Sequence, residues 1–281
     1  MTARSSYYFA LGEKLFGPYV AAMARKYLDP IRPAAPTRVR YEKRLDAELA
    51  AMHRSLAYWL KAQYRATPPV TAQDANPAEA LRAAIRRLSR RWQRRFNKLA
   101  VELADYFATT TQSRVDRALA AMLREGGVSV RFKSTPAMRE AYEAVIAENV
   151  SLIKSVSSQH LTAVEGVVMR SVMQGRDLSI LAKELEDAYG VTKRRAAFIA
   201  RDQNNKATAV LQRTRHAEIG ITKAVWLHSA GGKQPRPEHV AFSGQTYEIA
   251  KGAFLEGKWT WPGMEINCRC VSKPIIPGLE E

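Results

Sequence analysis

The sequence predicts a mainly α protein: long helices forming an N-terminal bundle or hairpin, followed by a small mixed α+β C-terminal module. Three observations carry this expectation. Apolar residues recur every three or four positions over long stretches, the period of one buried helix face. Glycine and proline, which punctuate local structure, cluster between those stretches. After Ile221 aromatics, glycines and prolines become frequent and the helical period fades.

Taken in order, Tyr8, Leu11, Leu15, Tyr19 and Met23 give an amphipathic helix through Leu28, broken by Pro30, Pro33 and Pro36. A second helix is expected over about Thr37–Arg65. The segment from Thr67-Pro68-Pro69 through Asn76-Pro77 reads as a linker. A long helix follows from about Ala78 to Glu125, stopped by Gly126-Gly127. Leu81, Ile85, Leu88, Trp92, Phe96, Leu99 and Leu103 form a near-heptad seam along it. Another long helix begins after Pro136, with Met138, Tyr142, Val145, Leu152 and Val156 on one face. These two seams are expected to pack together, which buries both stripes.

A shorter helix starts at Asp177, a plausible N-cap, carries Leu178, Leu181 and Leu185, and is expected to stop at Gly190. Thr192 then caps a further helix with Ala196, Ile199, Ala207, Val210 and Leu211, ending at Gly220. Short strands are expected around Ala224–His228 and Gln245–Ile249. The chain thereby divides into N-terminal helices (1–66), a linker (67–77), a long helical region (78–175) and a C-terminal module (176–281).

The 281 residues carry a formal net charge of +17, and the sequence pI is about 10.1. Such an excess points to a polyanionic partner, nucleic acid or an acidic protein surface. No apolar run approaches membrane-spanning length, and Glu13 and Lys14 interrupt the first apolar stretch, so neither a membrane nor a signal peptide is expected. The two cysteines sit one residue apart, a poor geometry for a disulfide, which fits a reducing compartment.

The charge is most concentrated between Leu81 and Lys98. Arg82, Arg86, Arg90, Arg94 and Lys98 form one i,i+4 row, and Arg87, Arg91 and Arg95 a second, with no acid among them. Like-charge neighbours cost a helix ~0.2–0.5 kcal/mol per pair. A bound polyanion such as duplex DNA would relieve that repulsion, and so would acids from elsewhere in the fold or from a neighbouring subunit.

Cys268, Cys270 and His239 are the conceivable zinc ligands. A structural zinc needs four, and His216 and His228 match no usual spacing. The expectation is therefore no metal and no cofactor, with the cysteines as small buried residues in a turn. Arg236-Pro237-Glu238-His239 could supply a general base for a metal-dependent nuclease or hydrolase, but its prolines read more simply as a turn with His239 packed inward. His53 and His160, beside apolar helical positions, read as helix-surface or core residues. The Leu178–Tyr189 helix, the Gly190-Val191-Thr192 turn and the basic Lys193-Arg194-Arg195 start of the next helix resemble a helix-turn-helix, the basis of an alternative reading as a DNA-binding regulator.

One ordered set remains. Arg195-Ala196-Ala197-Phe198-Ile199-Ala200-Arg201-Asp202-Gln203-Asn204 is followed by Gly220, Trp226, Arg236, His239, Gly244, Pro262-Gly263 and Asn267-Cys268-Arg269-Cys270. From about Leu178 to Pro274 this order resembles the Mu F-like head morphogenesis family of phage minor head proteins. Many members carry a further cysteine pair where this chain has Arg236 to His239. The resemblance implies a non-enzymatic minor capsid component of a tailed phage. It also implies association with the portal protein, with major capsid or scaffold protein, and in some members with double-stranded DNA. Its place would be the capsid interior or portal vertex of the virion, reached from the host cytoplasm during assembly. Arg201, Trp226, Arg236, His239, Gly244, Pro262, Gly263, Asn267, Cys268, Arg269 and Cys270 would be structural motif residues.

Overall fold

The computed structural model describes residues 26–66, 77–173, 177–231 and 234–278. Four long helices dominate it: α1 (Ala35–Ala66), α2 (Pro77–Glu125), α3 (Pro136–Met173) and α4 (Leu178–Glu218). After them come β1 (Lys223–Leu227), the single-turn α5 (Pro237–Ala241), β2 (Thr246–Glu248), β3 (Ala253–Leu255), β4 (Lys258–Thr260) and β5 (Val271–Pro274). The mainly α class and the strand-containing C-terminal module are both present. The expected helix over Tyr8–Met23 and the linker over 67–76 lie outside the described residues.

The chain forms two compact units, each discontinuous in sequence. One comprises Arg38–Asp105 and Ile146–Ala200. The other comprises Met1–Thr37, Tyr106–Val145 and Arg201–Glu281. Both therefore cut across the consecutive segments into which the sequence divides.

The Arg38–Asp105 and Ile146–Ala200 unit is a bundle of four helical segments. Its α2 seam is buried from Leu81 through Leu103 without exception. Polar contacts knit the segments. The Trp92 indole N–H donates to Ser55 Oγ at 3.3 Å, and Arg195 Nη2 donates to Ser155 Oγ at 3.0 Å. Between α3 and α4, Thr192 Oγ1 donates to the Ala188 carbonyl, 2.9 Å, which leaves it to accept from His160 Nδ1, also 2.9 Å. His53 and His160 are both buried, and Tyr189 stacks on His53 at 4.4 Å.

The expected stop at Gly190 does not occur: α4 runs unbroken through Gly190-Val191-Thr192. A glycine inside a helix costs about 1 kcal/mol relative to alanine. The buried apolar residues on both sides of it, Leu181, Leu185, Ala196 and Ile199, outweigh that cost. With no turn there is no helix-turn-helix, and the structural basis for the regulator reading is lost. Asp177 does cap α4, its Oδ1 accepting the backbone N–H groups of Ser179 and Ile180 at 2.7 and 3.1 Å.

In the other unit, α4 ends where expected. Gly220 takes φ 81°, Ile221 N–H reaches the His216 carbonyl and Gly220 N–H the Ala217 carbonyl, a Schellman closure. Gly127, at φ 84°, ends α2 in the same way. A three-stranded antiparallel sheet follows in the order β2-β1-β5, with Ala224 opposite Tyr247 and Trp226 opposite Ser272. β3 and β4 form a separate hairpin whose two-residue turn, Glu256-Gly257, has both residues at positive φ.

Residues 26–28 correct the expectation of a helix through Leu28. Tyr27 bridges Ile275, Leu28 N–H donates to the Pro274 carbonyl, and Ile276 N–H donates to the Lys26 carbonyl. This short extended segment pairs beside β5, and Leu28 is buried in the same core as Trp226, Leu211 and Val115. Beneath that core Arg215 is fully buried, held by Asp116 at 2.7 and 2.9 Å, by Glu218 at 2.7 Å and by the Lys133 carbonyl.

Candidate functional site

The motif residues converge on one place, the loop from Pro262 to Cys270, and α4 builds its floor. Asp202, Gln203, Asn204 and Asn205 form an uninterrupted run of buried polar side chains on that helix, a costly arrangement unless each is hydrogen-bonded. Asp202 Oδ1 accepts the backbone N–H of Asn267 at 2.6 Å, and its other oxygen pairs with Lys206 at 3.1 Å. Asn205 Nδ2 donates to the Cys268 carbonyl at 2.8 Å. Asn204 Nδ2 donates to the Ala34 carbonyl at 3.2 Å.

The loop answers with residues that tolerate unusual backbone. Asn267 sits at φ 59°, a region that Asn visits more readily than most residues. Gly263 sits at φ 84°, and a Cβ there would lie 3.1 Å from Ala209 Cβ and 3.4 Å from the Cys270 carbonyl. Only glycine lets this turn lie so close to α4.

Trp226 forms the opposite wall. It is fully buried in β1, edge-on to His239 at 5.0 Å, with Phe242 and Tyr247 around it. Gly244, at φ 90°, turns the chain so that its N–H reaches the Trp226 carbonyl. Arg236 Nη2 donates to the Ile266 carbonyl at 3.1 Å, and its Nε pairs with Glu256 at 3.2 Å. Arg269 Nη1 donates to the Gly231 carbonyl. Arg201 lies half-buried on α4, and Pro262 is buried in the loop. These contacts join the loop to α4, β1, α5 and the β3–β4 turn within one unit.

At the centre lie His239, Cys268 and Cys270, all buried, with their donor atoms within 4.8 Å of one another. His239 Nδ1 is 3.6 Å from Cys268 Sγ and 3.7 Å from Cys270 Sγ. Both cysteines are free thiols. The hydrogen bond from Cys270 holds the Cys268 thiol down to about 5, against the opposing effect of burial. That same contact, reinforced by burial, pushes Cys270 up.

His228, set aside in the sequence for want of a recognised spacing, lies just beyond β1 with Nδ1 3.6 Å from Cys270 Sγ. Glu238, the other half of the nuclease reading, is not part of the cluster. Its carboxylate accepts the backbone N–H of Glu256 instead.

The arginine face of α2 lies in the helical bundle and is not uniform. Arg95 forms a two-pronged pair with Glu48 of α1, at 2.7 and 3.0 Å. Arg82 Nε contacts Met169 Sδ at 3.4 Å, and Lys98 lies 4.0 Å from Glu102. Arg86, Arg87, Arg90, Arg91 and Arg94 are exposed and make no ion pair among the described residues. Arg86 and Arg90 flank a groove of about 260 Å³ that Ser158 and Thr162 of α3 also line. No described helix is long and apolar enough to cross a membrane.

Residues 162–273 match the family described as Phage Mu protein F like protein. A protein of Haemophilus influenzae (strain ATCC 51907 / DSM 11121 / KW20 / Rd), named only "Uncharacterized protein", is 36% identical over 154 residues, which is 55% of this chain and 34% of that relative. The chain thus spans about a third of the length of the curated relative it matches. No solved structure matches this chain.

Proposed function

From the match of residues 162–273 to the family described as Phage Mu protein F like protein, we propose that the protein is a minor head component of a tailed phage. In this reading it joins the portal vertex during head assembly alongside major capsid or scaffold protein, and works by binding rather than by catalysis. The observation that carries the reading is the family match over a stretch whose motif residues, from Arg236 to Cys270, tie a module together around a buried cluster of His239, Cys268 and Cys270. A rigid, cross-tied module suits an assembly contact, which needs a fixed surface.

The exposed arginines of α2 supply the second half of the reading, a contact with packaged duplex DNA. Five guanidinium groups on adjacent helix rows, exposed and without an ion pair among the described residues, match the spacing-tolerant, sequence-blind way in which proteins neutralise phosphates. The test is genetic and biochemical together. Deleting the gene from its phage should block or reduce infectious heads, and a tagged copy should co-sediment with portal-containing particles. Full infectivity without the protein, or heads that never contain it, would overturn the assignment.

A further inference from the structure

We propose that His239, Cys268, Cys270 and His228 bind one zinc ion, and that this ion is the staple of the C-terminal module. The first argument is metrical. Sulfur and nitrogen ligands at about 2.3 and 2.0–2.1 Å from a shared tetrahedral zinc lie roughly 3.6 Å apart. The separations between His239 Nδ1 and the two sulfurs are 3.6 and 3.7 Å, and that between His228 Nδ1 and Cys270 Sγ is 3.6 Å. Thiols are weak hydrogen-bond partners, so a buried imidazole turned toward two sulfurs gains little from hydrogen bonding alone. Its far nitrogen, Nε2, finds no partner either.

The second argument is charge. Two thiolates and two neutral imidazoles balance a divalent cation, so the filled site is electrically neutral and can stay buried without an uncompensated charge.

The third argument is architectural. The donors come from three separate pieces of chain: the end of β1, the single turn of α5, and the loop that enters β5. The strands around them are three to five residues long. Sheets this small rarely hold themselves together without a staple. A metal there ties together the pieces that Asp202 and Asn205 position from α4. The three buried residues form the preset part of the site. His228, half-buried with its Nδ1 3.6 Å from Cys270 Sγ, completes it by turning its ring inward, which closes the coordination and makes the site structural rather than catalytic.

The experiment uses the full chain purified without chelator. Elemental analysis is expected to give one zinc per chain, and cobalt exchange should give the sulfur-to-metal charge-transfer band of a tetrahedral site bearing thiolates. Cys268→Ser and Cys270→Ser should each lose the metal. His228→Ala should keep the charge-transfer band but bind at least about tenfold more weakly in competition with a chromogenic chelator, since even an outer-shell partner of a metal ligand is worth that much. Sub-stoichiometric zinc together with no cobalt band in the wild-type chain overturns the site. Unchanged affinity in His228→Ala overturns the fourth ligand. Because these two readouts use the wild-type chain and a partly exposed position, they decide the matter even if the cysteine variants fail to fold.

Discussion

The side-chain amide of Asn205 donates to the main-chain carbonyl of Cys268 across 2.8 Å, joining the longest-lived element of the sequence pattern, a helix, to its sharpest motif. Both residues are buried. The amide therefore fixes the height of the Cys-x-Cys loop above α4, and with it the position of both sulfurs.

Replacing Asn205 with Ala should leave that carbonyl without its partner in a closed interior. Such a loss costs ~1–3 kcal/mol. Chemical denaturation of the variant should show a drop of that order, with the α4 helix itself intact by circular dichroism. An unchanged midpoint would mean that the loop is held by Asp202 and the packing of Gly263 alone.

Arg86, Arg90 and Arg94 are expected to contact phosphates. Their combined change to Gln should weaken duplex DNA binding and reduce the slope of log affinity against log salt by about one unit per lost contact. Arg95→Gln serves as the comparison. Its guanidinium is already engaged by Glu48, so it should barely alter the slope. Equal slopes for the triple variant and the wild type, read by fluorescence anisotropy, would reassign the arginine face to a protein partner.

Gly190 lies inside an unbroken helix, and a Cβ there would meet only Arg194 Nη1 at an ordinary 3.5 Å. Gly190→Ala should therefore stabilise the protein by about 0.5–1 kcal/mol. Were the chain turned at this point with a positive φ, the same change would destabilise it. A lowered thermal midpoint would revive the helix-turn-helix.

Acid should loosen both units, the helical bundle through His160 and the other unit through His216. Burial, then the neighbouring charge of His53, lowers His160 from 6.5 to about 4, and burial lowers His216 to about 3. Since the folded values lie below the unfolded one, the unfolded chain binds more protons between them. Stability is complete above pH 6.5 and falls as pH drops toward 4. The midpoint of thermal unfolding should decline over that window, and His160→Gln should flatten part of the decline. A flat profile in the wild type would show that His160 is not held neutral.

The sequence by itself determined the helical part. Spacings of three and four place the α2 seam on one face wherever the helix goes, because burying a continuous apolar stripe dominates a long helix. Capping at Asp177 and closure at Gly220 were legible for the same local reason, since each satisfies backbone groups within a few residues. The ordered motif from Arg195 to Cys270 was legible as a resemblance.

Only the tertiary structure decided the rest. Gly190 stays helical because partners elsewhere bury the residues on both sides of it, an energy that no local propensity contains. Residues 26–28 pair beside β5, which lies at the far end of the chain. His228 reaches Cys270 although 42 positions separate them, and such a pairing carries no sequence period. It exists because the antiparallel register of β1 with β5 brings the end of one strand beside the loop that begins the other.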